Sequence, residues 1–261
     1  MRRSLAVLVA VALLLAGILP VAGVVGAEQG QARVRVVHAS PDAPAVDVLV
    51  DGNPAFTDIA FGTITPYATL SAGPHSIKVV PAGASEPVVI DATVDLTAGT
   101  DYTVAAVGQL ANIEALVLVD NNTPTPEGKA EVRFVHASPN APAVDIAVKG
   151  GPVLFSNVSF KGVGSYVAVD PGTYDLEVRL AGTDQVVLEV PGVTVNAGSV
   201  YTVFAVGLVD GQPPLQALLS LDNAGAGLPM TGGVAMDIGT VLFGLAAFGT
   251  VVEVAIRRRP R

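Results

Sequence analysis

The chain has 261 residues, no cysteine, 23 acidic against 14 basic side chains and a formal net charge of −9. Without cysteine there are no disulfides, no thiol nucleophile and no thiolate metal site, so any folded unit must be held by its own core. The acidic balance disfavours nucleic acid and anionic membrane as partners.

The N-terminus reads MRRS and then LAVLVAVALLLAGIL, a short cationic region followed by an apolar one of secretory type. Pro20 ends the apolar helix, and Val25-Gly26-Ala27 offers small residues to a signal peptidase, which places cleavage after Ala27. Residues 1–27 are therefore expected to be a signal peptide and the remainder to be exported.

The middle of the chain is one unit written twice. VRVVHASPDAPAVDVLVDG from Val34 recurs as VRFVHASPNAPAVDIAVKG from Val132. The match continues through Phe61 with Phe160, Tyr67 with Tyr166, GPHSIKV with GTYDLEV, and AGTDYTVAAVG with AGSVYTVFAVG. Two domains are expected, at 28–122 and 131–223, each of ordinary size for an independent fold. Between them residues 123–130 carry two prolines and read as a short, semi-stiff spacer.

Within the first unit the apolar residues recur mostly at period two. Val34–Val37, Val46–Val50, Tyr67–Leu70, Ser76–Val80, Val88–Val94, Tyr102–Val107 and Ile113–Val119 read as strands rich in Val and Ile. SAGPH, PAGASEP and TAGTD separate them with turn-forming Gly and Pro. The expected fold class is all-β: two tandem antiparallel β-sandwiches of immunoglobulin or transthyretin type. Tyr102 and Tyr201 follow AG turns and open alternating strands, the placement of a tyrosine corner whose hydroxyl bonds back to the turn.

The VHASPDAP and VHASPNAP segments and the downstream Gly, Pro and Tyr pattern resemble a family of bacterial exported domains classed only as a domain of unknown function. That resemblance implies a sandwich fold and an exported location, and no chemistry. His38, Ser40, Asp42 and Asp47, with His136, Ser138, Asn140 and Asp145 in the second copy, are the candidate ligand-binding or turn-locking residues. A metal site at His38, Asp42 and Asp47 is weakened because Asp42 becomes the neutral Asn140, and the spacings fit neither zinc nor an EF-hand. His38 with Ser40 as base and nucleophile lacks an orienting third group, since His75 is replaced by Tyr174. The turn-locking role is favoured: Pro41 and Pro44 stiffen the turn, and Ser40 or Asp42 can bond its amides. No catalytic residue, metal or cofactor is expected. An internal Lys–Asn isopeptide bond is disfavoured, because none of Lys78, Lys129, Lys149 and Lys161 is matched by Lys in the other copy.

The chain closes with LPMTGG from Leu228, an apolar stretch from Val234 to Ile256 and the tail RRRPR. This order resembles the cell-wall sorting signal of Gram-positive surface proteins. The resemblance implies that Leu228, Pro229, Met230, Thr231 and Gly232 are read by a sortase that cuts between Thr231 and Gly232. As a helix the apolar stretch would span roughly 35 Å, enough for a hydrocarbon core about 30 Å thick. Asp237 and Glu253 each sit a turn from an end, which makes the transmembrane span marginal. Arginines at both termini mark cytoplasmic sides, so the middle lies outside. Cutting at both sites removes six basic and two acidic residues from 14 and 23, which leaves 8 against 21, near −13. Residues 224–227 are the only spacer before the motif. The expected function is non-enzymatic: an exported protein held to the cell wall or membrane, its sandwiches in a structural, adhesive or interaction role. A glycan- or wall-polymer-binding module is the alternative, opposed by the absence of Trp and by only 13 Phe and Tyr; an extracellular hydrolase comes third.

Overall fold

The structure, a computed structural model, describes residues 30–224; the expected signal peptide and sorting signal lie outside the described residues. The first repeat contains β1 (Gln31–His38), β2 (Val46–Val50), β3 (Asn53–Ile59), β4 (Ala68–Ser71), β5 (Gly73–Pro81), β6 (Ile90–Leu96), β7 (Asp101–Val107) and β8 (Glu114–Asp120). The second contains β9 (Ala130–His136), β10 (Val144–Val148), β11 (Val153–Val158), β12 (Val167–Val169), β13 (Gly172–Leu180), β14 (Val186–Val195), β15 (Val200–Val206) and β16 (Gln216–Asn223). A 3-10 turn, Leu110–Asn112, precedes β8. Among the described residues no helix is long and apolar enough to cross a membrane.

Each repeat folds into two four-stranded sheets in the same order, β4-β1-β7-β8 over β3-β2-β5-β6 and β12-β9-β15-β16 over β11-β10-β13-β14. Alternation in β1 and β2 sends Val34, Val36, Val46, Val48 and Val50 into the gap between the first two sheets, where Ile77, Val79, Val94 and Val104 meet them. The second repeat closes likewise around Phe134, Ile146, Phe155, Val178 and Val203. The tandem sandwich is thus present, with one departure from a purely antiparallel reading. β1 runs parallel to β7 and β9 parallel to β15. Of the intervening strands, β4 and β12 pair on one side of β1 and β9, the others lie in the second sheet, and β7 and β15 re-enter on the other side of β1 and β9 in the same direction.

β3 has no counterpart among the strands read from the sequence. NPAFTDI carries Pro54 and does not alternate cleanly, both of which argue against a regular strand. It forms as an edge partner of β2 with register shifts on either side of Val48, and Asp58 takes a left-handed φ of 53° within it.

The two repeats pack directly against each other. β7 and β15 are buried along their whole length, on both faces. The second face of each is covered by the other repeat, in a third apolar cluster shared between them: Val37, Ala105, Val107 and Leu118 from the first, with Val135, Phe204, Val206 and Leu218 from the second. The four sheets are therefore stacked, with β4-β1-β7-β8 and β12-β9-β15-β16 inside. The linker is tied down at its start, where Asn122 Nδ2 donates to Gly99 O at 2.9 Å and the Asn121 amide to the Tyr166 hydroxyl at 3.2 Å.

Candidate functional site

The HASP turns lie where β1 and β9 end. His38 and Ser40 are fully buried, as are His136 and Ser138. His38 Nε2 donates to the Pro44 carbonyl at 2.9 Å and His136 Nε2 to the Pro142 carbonyl at 3.1 Å. A carbonyl only accepts, so the proton sits on Nε2 and Nδ1 is a bare acceptor, which meets no hydrogen-bond partner in either copy. Burial pushes both imidazoles below the usual histidine range and keeps them neutral, although the bonds to Pro44 and Pro142 pull the other way. Ser138 Oγ donates to the Gly207 carbonyl at 2.7 Å, whereas Ser40 Oγ meets no partner.

The carboxylates are engaged elsewhere. Asp42 Oδ1 accepts from the Leu110 amide at 2.7 Å, and Asn140 Oδ1 accepts from the Val209 amide at 2.9 Å. Only the carbonyl-type oxygen is used, which is why the amide of Asn140 serves as well as the acid. Asp47 accepts from the amides of Asp58 (2.7 Å) and Gly83 (2.9 Å), and Asp145 from those of Asn157 (2.6 Å) and Gly182 (2.8 Å). These bonds hold the carboxyls of both below the usual carboxylate range. Each Asp fastens the bulge of one neighbouring strand and the turn that follows the other. His38, Asp42 and Asp47 thus bond to three separate segments, and among the described residues no group of three His, Cys, Asp or Glu could hold a metal.

What the HASP turn does reach is the inter-repeat surface. The His38 ring meets Phe61 edge-on, centroids 6.3 Å apart, and His136 meets Phe160 at 6.4 Å. Backbone bonds pin the same loops: Gly62 N donates to His38 O at 2.8 Å, and Lys161 N to His136 O at 2.7 Å. Phe61 and Phe160 in turn pack on the shared cluster. The two motifs therefore brace the loops that clasp the opposite repeat.

Sequence reading missed the polar centre of that surface. Arg35 Nη1 donates to the Leu221 carbonyl at 3.1 Å and its Nη2 to Asp222, while Arg133 Nη1 donates to the Val119 carbonyl at 2.8 Å and its Nη2 to Asp120. Each guanidinium also bonds a threonine of its own sheet, Arg35 Nε to Thr103 at 2.8 Å and Arg133 Nε to Thr202 at 2.7 Å. The carboxylates collect further donors, with Tyr67 at 2.5 Å on Asp120 and Tyr166 at 2.8 Å on Asp222. The tyrosine rings lie over the guanidinium groups, 4.6 Å for Arg35 on Tyr67 and 4.8 Å for Arg133 on Tyr166. Burial lifts Asp120 above the usual carboxylate range against the pull of Arg35, and burial lifts the hydroxyls of Tyr67 and Tyr166 well above theirs. Burial is the largest single influence on Arg35 and opposes its charge, but Asp222, Tyr67 and Asp120 together outweigh it and the guanidinium is held more firmly protonated. Two cations and two anions balance, so the network fixes how the repeats align more than it adds net stability. The signal was present in the sequence: an Arg inside an otherwise apolar strand, VRVVH and VRFVH, with an Asp closing the last strand of each copy.

A Ser–His–Asp succession also emerges in the first repeat alone. His75 Nδ1 lies 2.6 Å from Asp51 Oδ2, and Nε2 lies 3.3 Å from Ser71 Oγ but 2.8 Å from the Ser71 carbonyl. The shorter bond commits the Nε2 proton to the carbonyl, so the ring acts as a clamp and not as a base toward the hydroxyl. In the second repeat a cavity of about 30 Å³ lies among Val132, Leu154, Tyr174 and Val193, with an entirely apolar lining.

The family profile described as Domain of unknown function (DUF4397) matches residues 32–147 and 147–228. No curated protein matches the chain. Among solved structures, the Bacillus anthracis TIE protein is similar at 12% identity and a TM-score of 0.23, over 69% of this chain and 34% of its own. A leucine-rich repeat protein from Bacteroides thetaiotaomicron is similar at 14% identity and a TM-score of 0.17, over 64% of this chain and 24% of its own. The chain thus spans about a third and about a quarter of their lengths.

Proposed function

Taking as premise that the chain belongs to the DUF4397 family of domains of unknown function, we propose that it is a non-enzymatic, exported protein attached to the outer face of the cell envelope. The observation that carries this reading is the order of segments: a cationic, apolar leader, an acidic and cysteine-free pair of repeats, then LPMTG, an apolar stretch and RRRPR. Signal peptidase and a sortase are its processing enzymes. The cell wall or the membrane is its point of attachment, through the sorting signal and its apolar stretch.

The packing of the repeats supports a structural or adhesive role. Two sandwiches joined through a buried core and a cross-bonded Arg–Asp network behave as one stiff head. With His38 and His136 enclosed, the HASP motifs serve that stiffness. The β structure runs to Asn223, which leaves residues 224–227 before Leu228. Four residues span about 14 Å when extended, so the head works close to its point of attachment. The test is digestion of the wall followed by mass spectrometry of the released protein. A fragment ending at Thr231, lost when the sortase is deleted, is expected. Release with an intact C-terminus, or unchanged placement without the sortase, would reject wall attachment.

A further inference from the structure

We propose that His75 is a proton-operated latch of the first repeat, which ties the β2–β3 turn to the end of β4 when both ring nitrogens carry protons and releases one of the two when a proton is lost. Both nitrogens face acceptors: the Asp51 carboxylate at 2.6 Å and the Ser71 carbonyl at 2.8 Å. A neutral imidazole has one N–H and can satisfy only one of them. The cation makes both bonds at once.

The surroundings favour that state. Asp51 on the β2–β3 turn is the charged group bonded to the ring, and its other oxygen accepts from the Ser76 amide at 2.9 Å, which aims the carboxylate. Across the ladder on β6 His75 faces the uncharged Val94, while Asp95 pairs with Pro74. From β4 the hydroxyl and carbonyl of Ser71 are the polar groups presented. The Asp51 bond, and after it the Ser71 carbonyl, raise the His75 pKa above its ordinary 6.5 and lower that of Asp51. A pKa raised in the folded state means the latch contributes fully below about pH 6.5 and is lost as pH climbs through the folded value.

The second repeat has no such control. Tyr174 replaces His75 and Lys149 replaces Asp51, and the phenol donates one bond to the Asp170 carbonyl at 2.7 Å. The latch also sits where the chain enters the fold: Ser71 pairs with Gln31 at the start of β1, and Ala72 N donates to Gly30 O at 2.7 Å. Opening it loosens the outer end of β1 and leaves the inter-repeat surface untouched.

The chain has three histidines, so the imidazole NMR signals of the folded protein resolve the question directly. One signal, removed by His75→Gln, is expected to titrate above 6.5, and Asp51→Asn is expected to lower its midpoint. Asparagine tolerates the left-handed φ of 50° at this position, so the turn survives the change. Amide exchange at Ala72 and Ser76, corrected for its intrinsic pH dependence, is expected to quicken through the same midpoint while Tyr174 and its neighbours do not respond. A His75 midpoint at or below 6.5, one unmoved by Asp51→Asn, or unchanged exchange at Ala72 and Ser76 overturns the latch.

Discussion

Arg35 in the first strand of the first repeat ion-pairs with Asp222 in the last strand of the second, 187 residues away, and both side chains are almost wholly buried. Arg133 and Asp120 return the same bond in the opposite sense. Because each repeat contributes one cation and one anion, neither can shed its partner without leaving buried charge behind. Arg35→Ala is expected to cost about 3–5 kcal/mol in denaturant unfolding, since Asp222 loses its partner while still desolvated. The double change Arg35→Met with Asp222→Leu is expected to cost much less than either single change, as charge and counter-charge leave together.

Phe204 is the large side chain of the shared cluster, standing where the first repeat has Ala105, and it is fully buried. Phe204→Ala is expected to destabilise the protein by about 3–5 kcal/mol. The loss is expected to appear in both repeats when unfolding is followed by site-specific probes.

Tyr102 and Tyr201 make the tyrosine-corner bonds, their hydroxyls accepting from the amides of Thr97 at 3.1 Å and Asn196 at 3.2 Å. Tyr102→Phe keeps the ring in the core and removes one bond. A cost of about 1 kcal/mol is expected, measured as a lower denaturation midpoint with unchanged slope.

Acid acts through two sets of groups, and both lose stability as pH falls. Asp47 and Asp145 have folded pKa values below the free value of 3.8, so their contribution is present above that pH and is lost as pH falls through the depressed values. His38 and His136 have folded values below 6.5, so folding excludes a proton that the unfolded chain binds, and stability declines on acidification from 6.5 downward. Replacing both histidines with Gln is expected to flatten the stability profile between about pH 6.5 and 5, and replacing Asp47 and Asp145 with Asn to flatten it below about pH 4. Urea midpoints across pH measure both.

Much of this architecture can be read directly from the residues. Doubling of the HASP segment, period-two valines and Gly-Pro turns mark two β repeats, and the seven strand segments read in the first all fall on observed strands. β3 escaped because Pro54 and a left-handed Asp58 break its alternation; it survives through its pairing to β2 and the Asp47 bond to its bulge. Stacking of the repeats escaped for a different reason. Period two shows that a strand has two faces, but not what covers each, and the unbroken burial of DYTVAAV arises only when the second repeat is in place. Ion pairs across 187 residues leave no local pattern beyond a solitary Arg in an apolar strand. The HASP residues were visible as a motif; that their polar atoms serve turn amides and carbonyls depended on the positions of Leu110, Asp58 and Gly83.

Calorimetry of the folded protein tests most directly whether the two repeats are one body. A single unfolding transition is expected, with calorimetric and van't Hoff enthalpies equal for the whole two-repeat unit, and Arg35→Ala is expected to lower that one transition. Two separate transitions, one for each repeat, with Arg35→Ala shifting only the first repeat's, would contradict the shared core.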